Sequence, residues 1–285
     1  MNSARSKAGT AAGTQQHVGR IGCVSYLNAR PLIEGLETRD DLKVRFDVPS
    51  RLLEDLEAAQ VEVALCPVID YFTSRVALTI VPAGGIGCEG PTLTVRLFSK
   101  VEFDQLREVH TDSDSHTSTV LMRVLLKELY SVVPQVIRYD AREQVVENRL
   151  VTDLEAVLLI GDKVVSSGPP HDAYPHQMDL GQTWNELTGL PFVFAVWMAR
   201  KDEPLGPLPS LLAEARQRNT GNIDAIVDRY AEPHGWDKAL ARKYLGQYLR
   251  FNIGPRQLEA IERFGHLAAQ LDVIEPPKGL RIHRP

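Results

Sequence analysis

Three side chains stand where a strand ends or a helix begins, and each could contact a small ligand. Asn28 follows the first predicted strand, and His116 precedes a predicted helix. Asp162 follows the apolar strand Ala156–Ile160, with one glycine between. An amide can donate and accept hydrogen bonds, and open α/β sheets bind ligands at the carboxyl ends of their strands. The alternatives are local: an Asx turn at Asn28, a turn cap at Asp162 and a surface residue of the helix N-terminus at His116.

Other motifs restrict the chemistry. The segment Gly85–Gly90 matches G-x-G-x-x-G, but Pro91 and a predicted strand follow it, so no helix N-terminus is available for a pyrophosphate. We expect a turn-rich loop between two lobes there, in which glycines let the backbone approach a ligand. The eight histidines form no HExxH motif and no cluster with cysteines at metal-ligand spacing, so we expect no metal site. The sequence also contains no P-loop, nucleophile elbow or Ser-x-x-Lys motif, and predicts neither a cofactor nor a covalent nucleophile.

Composition narrows the class of partner. The 285 residues carry 32 Lys and Arg against 37 Asp and Glu, a net charge of −5, which argues against a nucleic-acid-binding surface. An anionic ligand would need local donors rather than the field of the whole protein. Three cysteines are typical of a reducing compartment, and no stretch is apolar enough to span a membrane. We expect a cytoplasmic protein without an export signal and with a disordered tail over residues 1–17.

Predicted strands alternate with predicted helices up to Met198, which indicates a parallel α/β sheet. The length is sufficient for two such lobes. Leucines at i+4 spacing predict a strong helix that starts near Thr117 and ends at Tyr130, and a further helix is predicted over Arg142–Leu150. Helical patterns dominate from Leu208 onward, and their aromatic residues, Tyr244 among them, are expected to lie in the core.

Several segments together resemble a known family. The most specific are Val24–Leu32 and Thr188–Trp197; the others are Val48–Leu52, Ala64–Val68, Gly87–Pro91, Thr117–Ser118 and Leu159–Asp162. Between residues 20 and 270 the chain is similar in these segments to the chorismate dehydratases of the futalosine route to menaquinone. Relatives often have arginine where this chain has His116, so a charge contribution from this position does not carry over from the resemblance.

The resemblance implies a periplasmic-binding-protein-like fold of type II, in which two α/β lobes enclose a ligand cleft. Residues 18–98 and 195–285 would form the first lobe, and residues 99–194 the second. The chain would then cross between the lobes near Thr92–Ser99 and near Phe192–Met198. Paired crossings of this kind form a hinge that can close over a ligand and exclude water.

The implied reaction removes water from chorismate, a small dicarboxylate, and produces 3-[(1-carboxyvinyl)oxy]benzoate. Aromatisation drives it, so the protein must supply a base near C3–H and donors for the developing charge. Hydroxyl and N–H groups of Thr117–Thr119, at a helix N-terminus, suit a carboxylate. The motifs offer no obvious base. We therefore expect a substrate carboxylate to take the proton while Asn28 orients that group or the departing hydroxyl, with His116 as the rival base.

Asn28 is accordingly the predicted catalytic residue. The residues predicted to bind the substrate are Ser25, Pro67, Gly87, Ser115, His116, Thr117, Ser118, Thr119 and Asp162. Two other functions stay open: the 1,4-dihydroxy-6-naphthoate synthase of the same pathway, which uses a histidine base, and a protein that only binds a small anion. The segment Val24–Leu32 favours the dehydratase, and the expected lack of an export signal weighs against the binding protein.

Overall fold

The computed structural model describes residues 18–112, 115–139, 145–146, 149–150, 154–166 and 168–284. The tail expected over residues 1–17 lies outside them. The described strands form two main sheets, of six and five strands, and a separate pair of short strands. The cavity considered below lies between the two main sheets, so their construction decides which side chains can meet.

The first sheet combines strands from both ends of the chain. Its members are β1 (Gly19–Cys23), β2 (Leu42–Phe46), β3 (Val63–Pro67), β4 (Leu78–Cys88), β12 (Phe192–Arg200) and β13 (Leu249–Arg250). The spatial order is β2-β1-β3-β12-β4-β13. Strand β1 pairs in parallel with β2 and β3, whereas β12 runs antiparallel to β3 and β4. Within this sheet, the expected parallel pairing is thus correct only for β1–β3, because β12 returns from the second sheet and enters in the opposite direction.

The second sheet is formed by the middle of the chain. Its members are β5 (Val95–Ser99), β6 (Glu108–Asp112), β7 (Gln135–Tyr139), β10 (Ala156–Ile160) and β11 (His176–Asp179), in the order β11-β5-β10-β6-β7. Strand β6 pairs in parallel with β7 and β10, and β5 is antiparallel to β10 and β11. Two short strands, β8 (Val145–Val146) and β9 (Arg149–Leu150), pair with each other. The helix expected over Arg142–Leu150 is therefore wrong at these four described residues.

The chain crosses between the sheets twice. The first crossing lies between Cys88 and Val95, and the second between Asp179 and Phe192. The predicted lobe boundaries at residues 98 and 195 remain a proposal. If lobes were defined by sheet membership alone, all of β5 would belong to the second lobe and all of β12 to the first. At the second crossing, the ring centroid of Phe192 lies 5.2 Å from those of Trp184 and Phe264. This aromatic cluster packs the crossing into the core.

The glycine-rich segment is a strand as far as Cys88 and not the expected loop; only Glu89 and Gly90 lie in the connection between the sheets. Gly84, Gly85 and Gly87 lie inside the long strand β4. A Cβ on Gly85 would lie 2.7 Å from the carbonyl oxygen of Ala195, and one on Gly87 would lie 2.5 Å from that of Phe192. These contacts are closer than real Cβ atoms show, so the glycines allow the neighbouring strand β12, rather than a ligand, to approach closely.

Helices cover both sheets. They are α1 (Arg30–Ile33), α2 (Pro49–Glu57), α3 (Asp70–Thr73), α4 (His116–Tyr130), α5 (Asp162–Ser166), α6 (Leu180–Thr188), α7 (Leu208–Thr220), α8 (Ile223–Tyr230), α9 (Lys238–Lys243) and α10 (Pro255–Ala269). Short 3-10 turns occupy Leu27–Ala29, Phe103–Gln105 and Glu232–His234, and a π-helical turn, Tyr244–Tyr248, continues α9. In the described part of the chain, no helix combines the length and the hydropathy that crossing a membrane requires.

Candidate active site

A cavity lies between the two sheets, where several strands end. Its volume of about 210 Å³ is many times the ~10–15 Å³ that one water molecule needs, so it can hold a small molecule. The lining is mostly apolar, with polar groups at a few points, as is usual for small-molecule sites. The residues predicted from sequence that line it are Asn28, Pro67, Ser115, His116, Thr117, Ser118 and Asp162.

Asn28 reaches the cavity because strand β1 ends at Cys23 and the chain then turns through Leu27–Ala29 into α1. Its Nδ2 donates a hydrogen bond to the hydroxyl of Tyr244 at 3.3 Å. Its Oδ1 is buried and has no hydrogen-bond partner among the residues that the structure describes. An acceptor left without a partner in a buried position is costly, so this oxygen is available to a ligand donor. The geometry favours a ligand contact at Asn28 over an Asx turn.

The first turn of α4 presents a second group of polar atoms. Ser115 precedes the helix and makes no side-chain cap, and its Oγ is buried without a partner in the described part of the chain. The hydroxyl of Thr117 accepts from the backbone N–H of Ile69 at 3.3 Å and donates to the carbonyl oxygen of Phe194 at 3.1 Å. An uncapped N-terminus of a 15-residue helix favours an anion through its unpaired N–H groups and its dipole.

His116 contacts a carboxylate from α3, the short helix that follows β3. Its Nδ1 lies 3.1 Å from Oδ1 of Asp70, the first residue of α3. Asp70 is only 2% exposed, and burial raises the pKa of its carboxyl although His116 opposes this shift. A buried carboxylate that contacts one ring nitrogen holds the orientation of an imidazole. His116 is therefore not the surface residue that the sequence left as an alternative.

Asp162 and Lys163 are two further lining residues that carry ionisable side chains. Trp236 Nε1 donates to Oδ1 of Asp162 at 2.8 Å, and burial raises the pKa of this carboxyl. Lys163 lines the cavity and forms an ion pair with Asp112, whose side chain is 1% exposed. Both cavity residues begin α5, immediately after β10. The start of α5 therefore contributes an ammonium group and a carboxyl group to the lining.

Three of the residues predicted to bind substrate do not line this cavity. Ser25 is exposed, and its carbonyl oxygen lies 3.0 Å from Nε2 of His234. Gly87 lies in β4 against Phe192, for the reason given above. Thr119 directs its hydroxyl back along its own helix, to the carbonyl oxygen of Ser115 at 2.5 Å.

Thr94 and Tyr244 are polar lining residues that motifs did not identify. The Tyr244 hydroxyl lies 2.8 Å from Oγ1 of Thr94. The backbone before Thr94 has an unusual conformation, because Leu93 has φ of +68°. The Asp179 carboxylate accepts hydrogen bonds from the backbone N–H groups of Thr92 and Leu93, at 3.0 and 2.8 Å. A bulky residue at positive φ is strained and needs such support. Tyr244 is buried, as expected, but its hydroxyl also contacts Asn28.

The described residues contain no group of three His, Cys, Asp or Glu side chains that could hold a metal ion. All three cysteines are buried free thiols.

Solved structures share this fold at low sequence identity. Protein AF1704 of Archaeoglobus fulgidus superposes with a TM-score of 0.68 at 15% identity, over 90% of this chain and 98% of that one. The alkanesulfonate-binding protein SsuA of Xanthomonas axonopodis pv. citri, bound to MOPS, gives 0.64 at 14% identity, over 94% and 98%. The CA3427 product of Candida albicans, described as having the generic periplasmic binding protein fold, gives 0.56 at 13% identity, over 92% of each chain. The fold is therefore the two-lobed, periplasmic-binding-protein-like α/β fold.

Sequence comparison is more specific. A chorismate dehydratase of Thermus thermophilus is 30% identical over 243 residues, which are 80% of this chain and 87% of that protein. The protein family described as menaquinone biosynthesis matches residues 19–270, a range that contains every residue of the cavity lining. The chain belongs to this menaquinone biosynthesis family.

Proposed function

We propose that the protein is a chorismate dehydratase, a carbon–oxygen lyase that converts chorismate to 3-[(1-carboxyvinyl)oxy]benzoate and water. The observation that carries the proposal is the arrangement of the cavity. The amide oxygen of Asn28, which has no partner among the described residues, and the uncapped first turn of α4 line the same small space. The similarity to the Thermus thermophilus enzyme supports the choice of substrate.

A dicarboxylate would bind mainly at the second-sheet side of the cavity. There the N–H groups at the start of α4, the hydroxyl groups of Ser115 and Ser118, and the ammonium group of Lys163 provide donors. Charge-assisted hydrogen bonds of this kind are stronger than neutral ones. Local donors thus allow a protein of net charge −5 to bind a dianion.

The reaction breaks the C3–H and C4–O bonds of chorismate. The electron pair of C3–H becomes part of the aromatic ring, the C4 hydroxyl departs, and the proton completes the water molecule. We infer that a substrate carboxylate takes the C3 proton and that Asn28 orients the reacting groups. Holding a base next to its proton can contribute several kcal/mol, so a protein base is not required.

His116 is the rival base, and one contact in the structure supports this alternative. The contact between His116 Nδ1 and Asp70 resembles the orienting contact in histidine-dependent catalysis. The two mechanisms differ in which substitution abolishes turnover. His116→Ala would do so if the imidazole is the base, whereas substrate-assisted transfer would tolerate it better than Asn28→Ala.

The test is to incubate the purified protein with chorismate, without metal or nucleotide, and to follow the diene absorbance and the product mass. The expected product is aromatic and lighter than chorismate by one water. Asn222→Ala is the matched control for Asn28→Ala, because Asn222 is exposed and lies outside the cavity. Chorismate that binds, as seen by thermal shift, but is not converted would instead favour a small-anion-binding protein.

We further propose that the enzyme is cytoplasmic and that its partner is its substrate, a small dicarboxylate. Three unpaired, buried thiols are consistent with a reducing compartment.

A further inference from the structure

Tyr244 connects two polar residues of the cavity through its hydroxyl group. The hydroxyl lies 3.3 Å from Asn28 Nδ2 and 2.8 Å from Thr94 Oγ1. The ring is 1% exposed and stacks on Trp236, with centroids 4.7 Å apart and planes inclined by 12°. The phenol is therefore fixed in position by its ring, independently of its hydrogen bonds.

One hydrogen bond of Tyr244 has a fixed direction, because the Asn28 amide donates to the phenol oxygen. In the other, either oxygen can be the donor, and we infer the arrangement in which the phenol donates its proton to Thr94 Oγ1. Burial raises the pKa of the phenol well above its ordinary value, which keeps that proton in place at neutral pH. Thr94 Oγ1 then accepts from Tyr244, and its own proton can be donated elsewhere.

Two complementary atoms therefore remain for a ligand. Asn28 Oδ1 is a buried acceptor without a partner in the described residues, and Thr94, which also lines the cavity, has a proton to donate. A hydroxyl group both donates and accepts, so one hydroxyl can satisfy both atoms. A carboxylate could accept from Thr94 but has no proton for Asn28.

We propose that Tyr244 is a positioning residue that turns Asn28 Oδ1 and the Thr94 hydroxyl toward one hydroxyl group of the substrate. This inference rests on the proposed function. In chorismate the group would be the C4 hydroxyl, the one that leaves. Asn28 Oδ1 accepts a hydrogen bond from this hydroxyl and orients it. Thr94 donates a hydrogen bond to its oxygen as the C4–O bond breaks, which stabilises the negative charge that develops there. No proton passes through Tyr244.

The experiment is Tyr244→Phe, which removes the hydroxyl and keeps the stacked ring. Tyr248→Phe is the matched control in the same π-helical turn, since Tyr248 lies outside the cavity lining and its ring contact with Lys243 survives the change. We expect kcat to fall about 10–100-fold in Tyr244→Phe and to stay within about twofold in Tyr248→Phe. Thermal unfolding of both variants reports on the fold.

A second measurement separates positioning from a structural defect. The product lacks the C4 hydroxyl, so its Kd should be unchanged in Tyr244→Phe, whereas a distorted cavity would bind it more weakly. Thr94→Val should lower kcat similarly, Thr94→Ser should restore most of it, and the double variant Tyr244→Phe/Thr94→Val should cost less than the product of the two single effects.

The outcomes distinguish the two proposals. An active wild type together with unchanged kcat in Tyr244→Phe, or equal losses in kcat and product affinity, overturns the role of Tyr244 and leaves the dehydratase assignment in place. A folded wild type that does not convert chorismate overturns the assignment and, with it, this role.

Discussion

The two walls of the cavity differ in charge. Among the described lining residues, His116, Asp162 and Lys163, whose side chains can carry charge near neutral pH, all belong to helices that follow strands of the second sheet. The first-sheet wall contributes apolar side chains, the amide of Asn28 and phenols. Charged groups suit the carboxylates of a substrate, whereas neutral groups in fixed hydrogen bonds suit a reacting hydroxyl. Under the proposed function, binding and bond breaking would be divided between the walls.

The largest effect is expected from a charge placed on the first-sheet wall, called the neutral wall below. Asn28→Asp removes the donor to Tyr244 and brings a carboxylate next to a dianion. We expect kcat/KM to fall about 100–1000-fold, from like-charge repulsion and a misplaced acceptor. Steady-state kinetics with chorismate measure it, and Asn222→Asp is the exposed control. Equal effects of the two variants would refute a special role for the neutral wall.

Removing the cation from the charged wall should affect binding more than chemistry. For Lys163→Met we expect KM to rise about 10–100-fold with a smaller change in kcat. Unfolding free energy should fall by about 1–3 kcal/mol, because Asp112 is left buried without its ammonium partner. Lys201→Met, which removes a surface ion pair with Asp202, is the control. A fall in kcat at constant KM would contradict the assignment of Lys163 to carboxylate binding.

Asp162 is the only acidic side chain among the described lining residues. Neutralising it should therefore leave the second-sheet wall more favourable to an anionic substrate. Asp162→Asn should lower KM for chorismate about 3–10-fold. Because burial raises the folded-state pKa of Asp162 above its unfolded value, wild-type stability falls as pH rises between those two values, and the penalty remains above them.

The variant lacks this group, so its Tm should exceed that of the wild type at neutral pH and the gain should shrink toward pH 4. Thermal unfolding across that range measures the effect. A Tm difference that does not depend on pH would show that desolvation of the carboxylate is not its cause.

The smallest effect is expected at Ser25. Its position in the segment Val24–Leu32 predicted substrate binding, but the structure leaves the side chain exposed and outside the cavity. Ser25→Ala should change kcat/KM by less than about twofold. A loss comparable to that of Asn28→Ala would mean that the loop rearranges when substrate binds.

Much of the fold was predictable from local patterns. Leucine spacing and the polar residues before it placed α4 from residue 117 to 130, and the structure begins it at His116. The apolar run Ala156–Ile160 became β10 with the same bounds. The glycine-rich segment was misassigned because glycine is as typical of close strand packing as of turns, and only the neighbouring strand β12 decides between them.

The candidate site was predictable only where a residue lies at the end of a local element. Asn28, Asp162 and the first turn of α4 were identified this way. Asp70 and Thr94 carry no local signal, and the sequence pattern of Tyr244 indicated only a core position. Lys163 could have been found, because it follows Asp162 at the same strand end.

The sequence by itself determined helix α4 with its polar start, strand β10 and, through the segments Val24–Leu32 and Thr188–Trp197, the family. These features depend on residues that are near one another in the chain, where periodicity, turn formation and helix starts operate. The tertiary structure alone decided the pairs that complete the site. Asn28 and Tyr244 are 216 residues apart, and His116 and Asp70 are 46 apart. Such contacts arise from the strand order and the two crossings, which set the distance between elements and leave no mark in local composition.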